Sequence, residues 1–270
     1  MVGEPAALDN LVTTARGSAA DDTLFHLSFD GHVARLTMAR ARYRNAVRSD
    51  DWRALPALVE QAARGGARVI LLASAVAGSF SAGVDLNELV ALREDAAARL
   101  PLRNAMRAGL NALRASPVPV IALVDGDCFG AGVALAIACD IRVAGPAARF
   151  AVTPARLGIS YQFADITRLR ALVGEGQAAR LLLAAEAIDT AEALRIGLAE
   201  LAGGAAQAEK LAAAIAANAP SSVAALKSGL AATGDDAGEN HDRAFDAAFG
   251  GPDFAVGLAA FRARRTPEFD

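Results

Sequence analysis

The chain has 270 residues, of which 54% are hydrophobic, 21% charged and 5% aromatic, with 27 basic side chains against 30 acidic ones. That length and apolar content suffice to bury a substantial core, which excludes disorder for the bulk of the chain. A formal charge of −3 supplies no excess of cations for phosphates, which argues against a nucleic-acid binder and against a basic membrane-surface protein.

Residues 1–22 contain Glu4, Asp9, Arg16 and small residues without the continuous apolar centre that a secretory signal requires, so a cytoplasmic protein with an N-terminal tail is expected. Thr23 to Phe29 and His32 to Met38 then alternate apolar and polar residues around Asp30-Gly31, the pattern of a β-hairpin. Asp50 and Asp51 precede Trp52, Leu55, Leu58 and Val59 at helical spacing, and Gly65-Gly66 closes that helix. The run Arg68 to Ala73 is short, continuous and apolar, as in a strand buried on both faces.

The order recurs. A helical stretch at Leu102 to Leu113 leads to an apolar strand at Val118 to Val124, a glycine-containing turn, another helix and a strand near Ile141 to Ala144. Repeated strand, turn and helix units predict an α/β core. From Glu175 onward an Ala- and Leu-rich helical pattern takes over, through Leu201, 210–218, 222–230 and 242–265. The break at residues 202–205 divides a core (23–204) from a C-terminal helical region (205–270), and Asp235-Asp236-Ala-Gly-Glu reads as a polar loop. The longest strongly apolar run, Cys128 to Cys139, covers 12 residues, well short of the roughly 20 that span a bilayer, so no membrane span is expected.

Cys128 and Cys139 have neither the number nor the spacing of a disulfide framework or zinc site and are expected to be reduced core residues. His26, His32 and His241 share no metal-ligand spacing, and no metal is expected. No histidine stands near Ser79 or Ser81 in a nucleophile arrangement, so a serine mechanism lacks support. Two glycine-containing segments carry more information: Ser79-Phe-Ser-Ala-Gly-Val-Asp-Leu86 and Asp125-Gly-Asp-Cys-Phe-Gly-Ala-Gly-Val133. Each follows a buried strand and opens a helix, so each can aim an unpaired backbone N–H into a shared cleft. The glycines at 126, 130 and 132 are not spaced as a dinucleotide fingerprint.

In order and context these segments resemble the two signature blocks of the crotonase superfamily, the enoyl-CoA hydratase/isomerase family, over residues 68–89 (RVILLASAVAGSFSAGVDLNEL) and 117–141 (PVPVIALVDGDCFGAGVALAIACDI). Arg44-Asn45-Ala46 and the segment 253–265 (DFAVGLAAFRARR) extend the likeness to roughly residues 23–269. The resemblance implies a spiral core of ββα units, a C-terminal helical region that assembles a homotrimer or a hexamer of two trimers, and an acyl-CoA thioester as substrate. CoA then enters as part of the substrate, with no separate cofactor. It places the two oxyanion-hole donors at the N–H groups of Val84 and Ala131, and CoA contacts at Arg44, Ala46 and Ala82. It also lets Phe261 and Arg264 reach the nucleotide of a neighbouring subunit.

The chain departs from the hydratase pattern at two positions. Where family hydratases carry two glutamates, this sequence has Ala134 and Pro154, and neither can move a proton. The segment 150–161 (FAVTPARLGISY) is locally similar to methylmalonyl-CoA decarboxylases, which implies roles for Thr153 and Tyr161 near a departing carboxylate; those enzymes carry histidine where Val84 stands here and usually glutamate at the Ala134 position. Decarboxylation of a malonyl-type CoA is therefore the preferred specific reaction. Asp165, four residues after Tyr161 and on one face with it if both are helical, offers an isomerase alternative. A non-catalytic acyl-CoA-binding paralogue is the other alternative. Asp85 is read as ordering the first donor loop, and Asp140 as structural.

Overall fold

The computed structural model describes residues 23–232 and 237–269; the expected N-terminal tail and Asp235-Asp236 lie outside the described residues. β1 (Phe25–Asp30) and β2 (Val33–Met38) form the hairpin, paired antiparallel from Phe25↔Met38 to Asp30↔Val33. The turn is Gly31-His32, one residue later than expected, with Gly31 at φ 55°. α1 (Ser49–Arg64) begins where the Asp51 carboxylate accepts from the Arg48 N–H at 2.8 Å and ends at Gly65.

Three ββα units follow. β3 (Val69–Ser74) and β4 (Gly78–Ser81) lead into α2 (Leu86–Glu94) and α3 (Arg99–Arg114). β5 (Val120–Val124) and β6 (Gly126–Phe129) lead into α4 (Ala131–Ala138). β7 (Ile141–Ala144) and β8 (Arg149–Ala151) lead into α5 (Phe163–Ala184), which breaks at Gly174 (φ 77°). The chain continues through β9 (Ile188–Asp189), α6 (Thr190–Arg195), β10 (Leu201–Ala202) and α7 (Ala205–Ala216). It closes with α8 (Pro220–Ala231), α9 (Ala237–Ala248) and α10 (Pro252–Arg262).

The first strand of each unit enters a six-stranded sheet of order β1-β2-β3-β5-β7-β10, and the second enters a four-stranded sheet of order β4-β6-β8-β9. This is the α/β spiral of ββα units with a helical C-terminal region. Among the described residues no helix is long and apolar enough to cross a membrane.

Three expectations need correction. The glycine-containing segments are more than turns, since the first opens on the last three residues of β4 and the second contains all of β6, both strands of the second sheet. The last third is not purely helical: Ile188 pairs with Phe150, and Leu201-Ala202 pair with Val143-Ala144. Two-residue strands show no alternation, so periodicity cannot find them. Ala237 to Glu239 open α9 instead of forming a loop, and His241 lies on that helix.

The inner strands β3, β5 and β7 of the six-stranded sheet are buried on both faces, and period-two geometry sorts their side chains. Ile70 and Leu72 of β3 join the large core with Trp52, Leu55 and Leu110, while Val69 and Leu71 face the other way onto Ala208 and Ala212 of α7. The junctions are held by buried and half-buried ion pairs. Arg40 pairs with Asp51 at 2.8 Å, and Lys227 Nζ donates to Asp140 at 2.7 Å, tying α8 to the start of β7. Asp140 also accepts from the Val120 N–H at 2.7 Å, the structural role expected of it. Both cysteines are free and buried, and burial pushes the Cys139 thiol up to about 12.

The close pairing of β4 and β6 requires glycine at 126. Its φ is 142°, and a Cβ there would stand 2.3 Å from the Gly78 carbonyl carbon and 2.4 Å from the Ser79 nitrogen. Gly126→Ala is expected to cost about 3 kcal/mol or more, a fall of roughly 10 °C in the thermal unfolding midpoint. An unchanged midpoint would contradict the pairing.

Candidate active site

The site forms where the second sheet hands its chain to two helices, after β4 and after β6. Residues 44–47 brace the first crossing: the Ala82 N–H donates to the Arg44 carbonyl at 2.9 Å, the Val47 N–H to Gly83 at 2.7 Å and the Asp85 N–H to Val47 at 3.1 Å. In this parallel bridge Val47 donates to Gly83 and accepts from Asp85, the residues flanking Val84, so the N–H of Val84 points to the opposite side. Asn45, fully buried, pins the brace by donating to Ser74 Oγ at 2.7 Å and the Phe80 carbonyl at 3.0 Å. Asp85 caps α2, accepting from the Asn87 N–H at 2.9 Å, as expected of it.

The second crossing turns at Gly130 (φ 52°, ψ −117°), which leaves Ala131 as the first residue of α4 with its N–H outside the helical ladder. The two crossings touch. A Cβ on Gly83 would lie 2.9 Å from the Phe129 carbonyl oxygen and 3.3 Å from the Ala131 nitrogen, so the neighbouring peptides converge. Among the described residues nothing accepts from the Val84 or Ala131 N–H. Both residues line one cavity of about 850 Å³. Two free donors in the lining of one cavity can stabilise an anion there, with the helix dipole of α4 behind the second.

The walls of the cavity are mainly apolar and come from segments that sequence reasoning did not connect: Leu86 and Leu89 of α2, Leu102 and Met106 of α3, and Leu157 and Ile159 of the segment before α5. Leu86, Val90, Leu157 and Ile159 are exposed although large and apolar, which marks a surface shaped for a ligand. Arg93, Arg99 and Arg103 stand among the lining residues, and Arg99 is held by the Leu92 and Arg93 carbonyls.

Tyr161 and Asp165 both line the cavity but do not share a helix. Gln162 caps α5, so Tyr161 precedes the first turn and Asp165 lies within it, and the expected pairing on one helical face is replaced by proximity in the cavity wall. The Tyr161 hydroxyl donates to the Gly130 carbonyl at 3.0 Å, and burial pushes its phenol well above the usual range. Asp165 is 2% exposed and bonds Arg114 Nη2 at 2.7 Å. Burial lifts its carboxyl above the ordinary aspartate range, while Arg114 pulls it partly back. No sequence signal pointed to Arg114, which is 51 residues away.

Pro154 lines the cavity, whereas Thr153 is not among the lining residues; its Oγ1 lies against Gly130, 3.2 Å from where a Cβ would be. Ala134 is fully buried in α4. Arg44 has φ 49° and pairs with Asp127, and Ala46 is buried beside it. Phe261, 81% exposed at the end of α10, and Arg264 just beyond it lie outside the cavity lining of this chain. Among the described residues no three His, Cys, Asp or Glu side chains gather as a metal site would require.

The enoyl-CoA hydratase/isomerase family model matches residues 28–270. A protein of Mycobacterium bovis named a probable enoyl-CoA hydratase is 33% identical over 239 residues, covering 88% of this chain and 95% of the relative. The short-chain-enoyl-CoA hydratase of Clostridium acetobutylicum is 34% identical over 174 residues, 64% of this chain and 66% of the relative. Among solved structures, an enoyl-CoA hydratase/isomerase family protein from Hyphomonas neptunium superposes with a TM-score of 0.87 at 33% identity, covering 93% of this chain and 99% of that one. With two backbone donors in the lining of a mainly apolar cavity and these matches along nearly its whole length, the chain belongs to the enoyl-CoA hydratase/isomerase family of the crotonase superfamily.

Proposed function

We propose that the protein binds an acyl-CoA thioester with its carbonyl oxygen between the Val84 and Ala131 N–H groups and its acyl chain along Leu86, Leu89, Leu102 and Met106, and that it isomerises a 3-enoyl thioester to the 2-enoyl form. The observation that carries this reading is that, among the described residues, Asp165 is the one carboxylate lining a cavity that also holds both backbone donors. A single base suffices for this reaction. The Asp165 carboxylate takes a proton from C2, the electron pair moves into the carbonyl to give a dienolate held by the two donors, and the same carboxyl returns the proton to C4. The C3–C4 double bond becomes a C2–C3 double bond and nothing is gained or lost. Hydration would also require a placed water and a second proton-transfer group, and Ala134 and Pro154 supply neither.

Decarboxylation of a malonyl-type thioester draws less support. It would call on Thr153 and Tyr161, of which the first is absent from the lining and the second already donates to the main chain. The CoA portion is proposed to follow Arg44, Ala46 and Ala82, with Phe261 and Arg264 offered to a neighbouring subunit in a trimer.

The test is to incubate the purified protein separately with a 3-enoyl-CoA, a 2-enoyl-CoA and methylmalonyl-CoA, following conjugation by absorbance and product mass by mass spectrometry. The expected result is a conjugated product of unchanged mass from the first alone. Propionyl-CoA from the third would replace this reading with decarboxylation. Tight binding with no product from any would replace it with a non-catalytic acyl-CoA-binding role.

A further inference from the structure

We propose that Tyr161 is a positioning residue of the oxyanion hole, acting on substrate through the peptide bond between Gly130 and Ala131. The inference rests on the acyl-CoA reading above and assigns to Tyr161 a role different from proton transfer. The hydroxyl donates to the Gly130 carbonyl at 3.0 Å, and that carbonyl belongs to the same peptide unit as the Ala131 N–H, the second donor to the thioester. Drawing electron density toward the carbonyl oxygen strengthens the N–H as a donor, an effect of roughly 10–30% per bond in a hydrogen-bonded chain.

The surroundings fit this task. Gly130 adopts a conformation that turns its carbonyl back over the first turn of α4, where it also accepts from the Val133 N–H at 3.0 Å and the Ala134 N–H at 3.4 Å. The peptide is thus loaded at its acceptor end and free at its donor end. Tyr161 reaches it from the segment between β8 and α5, so the two sides of the cavity are joined by this bond. The phenol remains protonated at neutral pH because burial disfavours the phenolate, so it is a permanent donor. A tyrosine that handed its proton to substrate would first have to release Gly130.

The experiment binds a saturated acyl-CoA labelled with carbon-13 at the thioester carbonyl and reads the carbonyl stretch by difference infrared spectroscopy. It uses the wild type, Tyr161→Phe and protein carrying 3-fluorotyrosine. The wild type is expected to shift the stretch to lower wavenumber relative to free ligand, Tyr161→Phe to lose part of the shift, and the more acidic fluorinated phenol to enlarge it. Turnover in Tyr161→Phe is expected to fall about three- to tenfold in kcat, the weight of one neutral hydrogen bond, with KM and the pH profile unchanged. An identical stretch in all three proteins would overturn the inference while leaving the acyl-CoA reading in place. A loss of hundredfold or more with an altered pH profile would overturn it in favour of a proton-transfer role. If wild-type protein binds ligand with no shift at all, the oxyanion reading fails and this inference with it. Fluorotyrosine preserves the side-chain framework, so the inference stays testable even if Tyr161→Phe folds poorly.

Discussion

Asp165→Asn is expected to reduce isomerisation about 10²–10⁴-fold while leaving acyl-CoA affinity within a factor of a few. The amide keeps the shape of the carboxylate and can still accept from Arg114, but it cannot take the C2 proton. The pH dependence of the wild type gives an independent check. Because burial raises the Asp165 pKa, the base form is lost on acidification at a higher pH than for an ordinary aspartate, so the acid limb of kcat/KM lies above the usual carboxylate range. Arg114 lowers that pKa, so Arg114→Met is expected to move the limb further upward. The linked stability has the opposite sense: it is fully present below the unfolded-state pKa and is lost as pH rises through the raised folded-state value. Asp165→Asn removes that dependence, and urea unfolding at several pH values would show it. An Asn variant with wild-type turnover would eliminate Asp165 as the base.

Gly83→Ala is expected to cost about 10²–10³ in kcat, the usual consequence of losing one oxyanion donor. The glycine sits at φ 100°, and its added Cβ would press at 2.9 Å on the Phe129 carbonyl oxygen and at 3.3 Å on the Ala131 nitrogen. Both contacts are with backbone, so relief must come from separating the two donor segments. Strain alone adds about 1–3 kcal/mol of destabilisation and has to be distinguished from donor displacement. Gly78→Ala provides the control, since Gly78 has φ 70° but nothing within 4 Å of its virtual Cβ. A loss of unfolding free energy in both variants, larger at position 83, with the rate lost only at position 83, is the expected pattern. Equal rates would show that the approach of Gly83 to Ala131 has no bearing on catalysis.

The sequence made the first half of the fold legible where side-chain periods are long enough to read. The hairpin, α1 between its acidic opening turn and Gly65, and the doubly buried β3 all follow from alternation, helical spacing and punctuation. The second sheet was less visible. Gly78–Ser81 and Gly126–Phe129 contain glycine and small polar residues in four-residue strands, and they read as turns because their pairing is set by partners about 48 residues apart in register, such as Ser79 with Asp127. The positions Val84 and Ala131 came from the resemblance of residues 68–89 and 117–141 to the family's signature blocks, and a backbone donor tolerates whatever side chain stands there. The acid-base chemistry could not, because the Asp165 environment depends on Arg114 from α3 and on an apolar wall assembled from α2, α3 and residues 154–161. Tyr161 was identified as a site residue from a local resemblance, yet its hydrogen bond to Gly130 is a tertiary fact that no spacing encodes.

The central claim is that the Val84 and Ala131 N–H groups hold a thioester carbonyl. The most direct measurement is calorimetric comparison of a saturated acyl-CoA with the matching thioether, in which a methylene replaces the carbonyl. The thioether is expected to bind about tenfold or more weakly, because it leaves both donors without an acceptor while keeping every CoA and acyl-chain contact. Equal affinities would contradict the account, since the cavity would then be recognising the chain and the nucleotide without engaging the carbonyl.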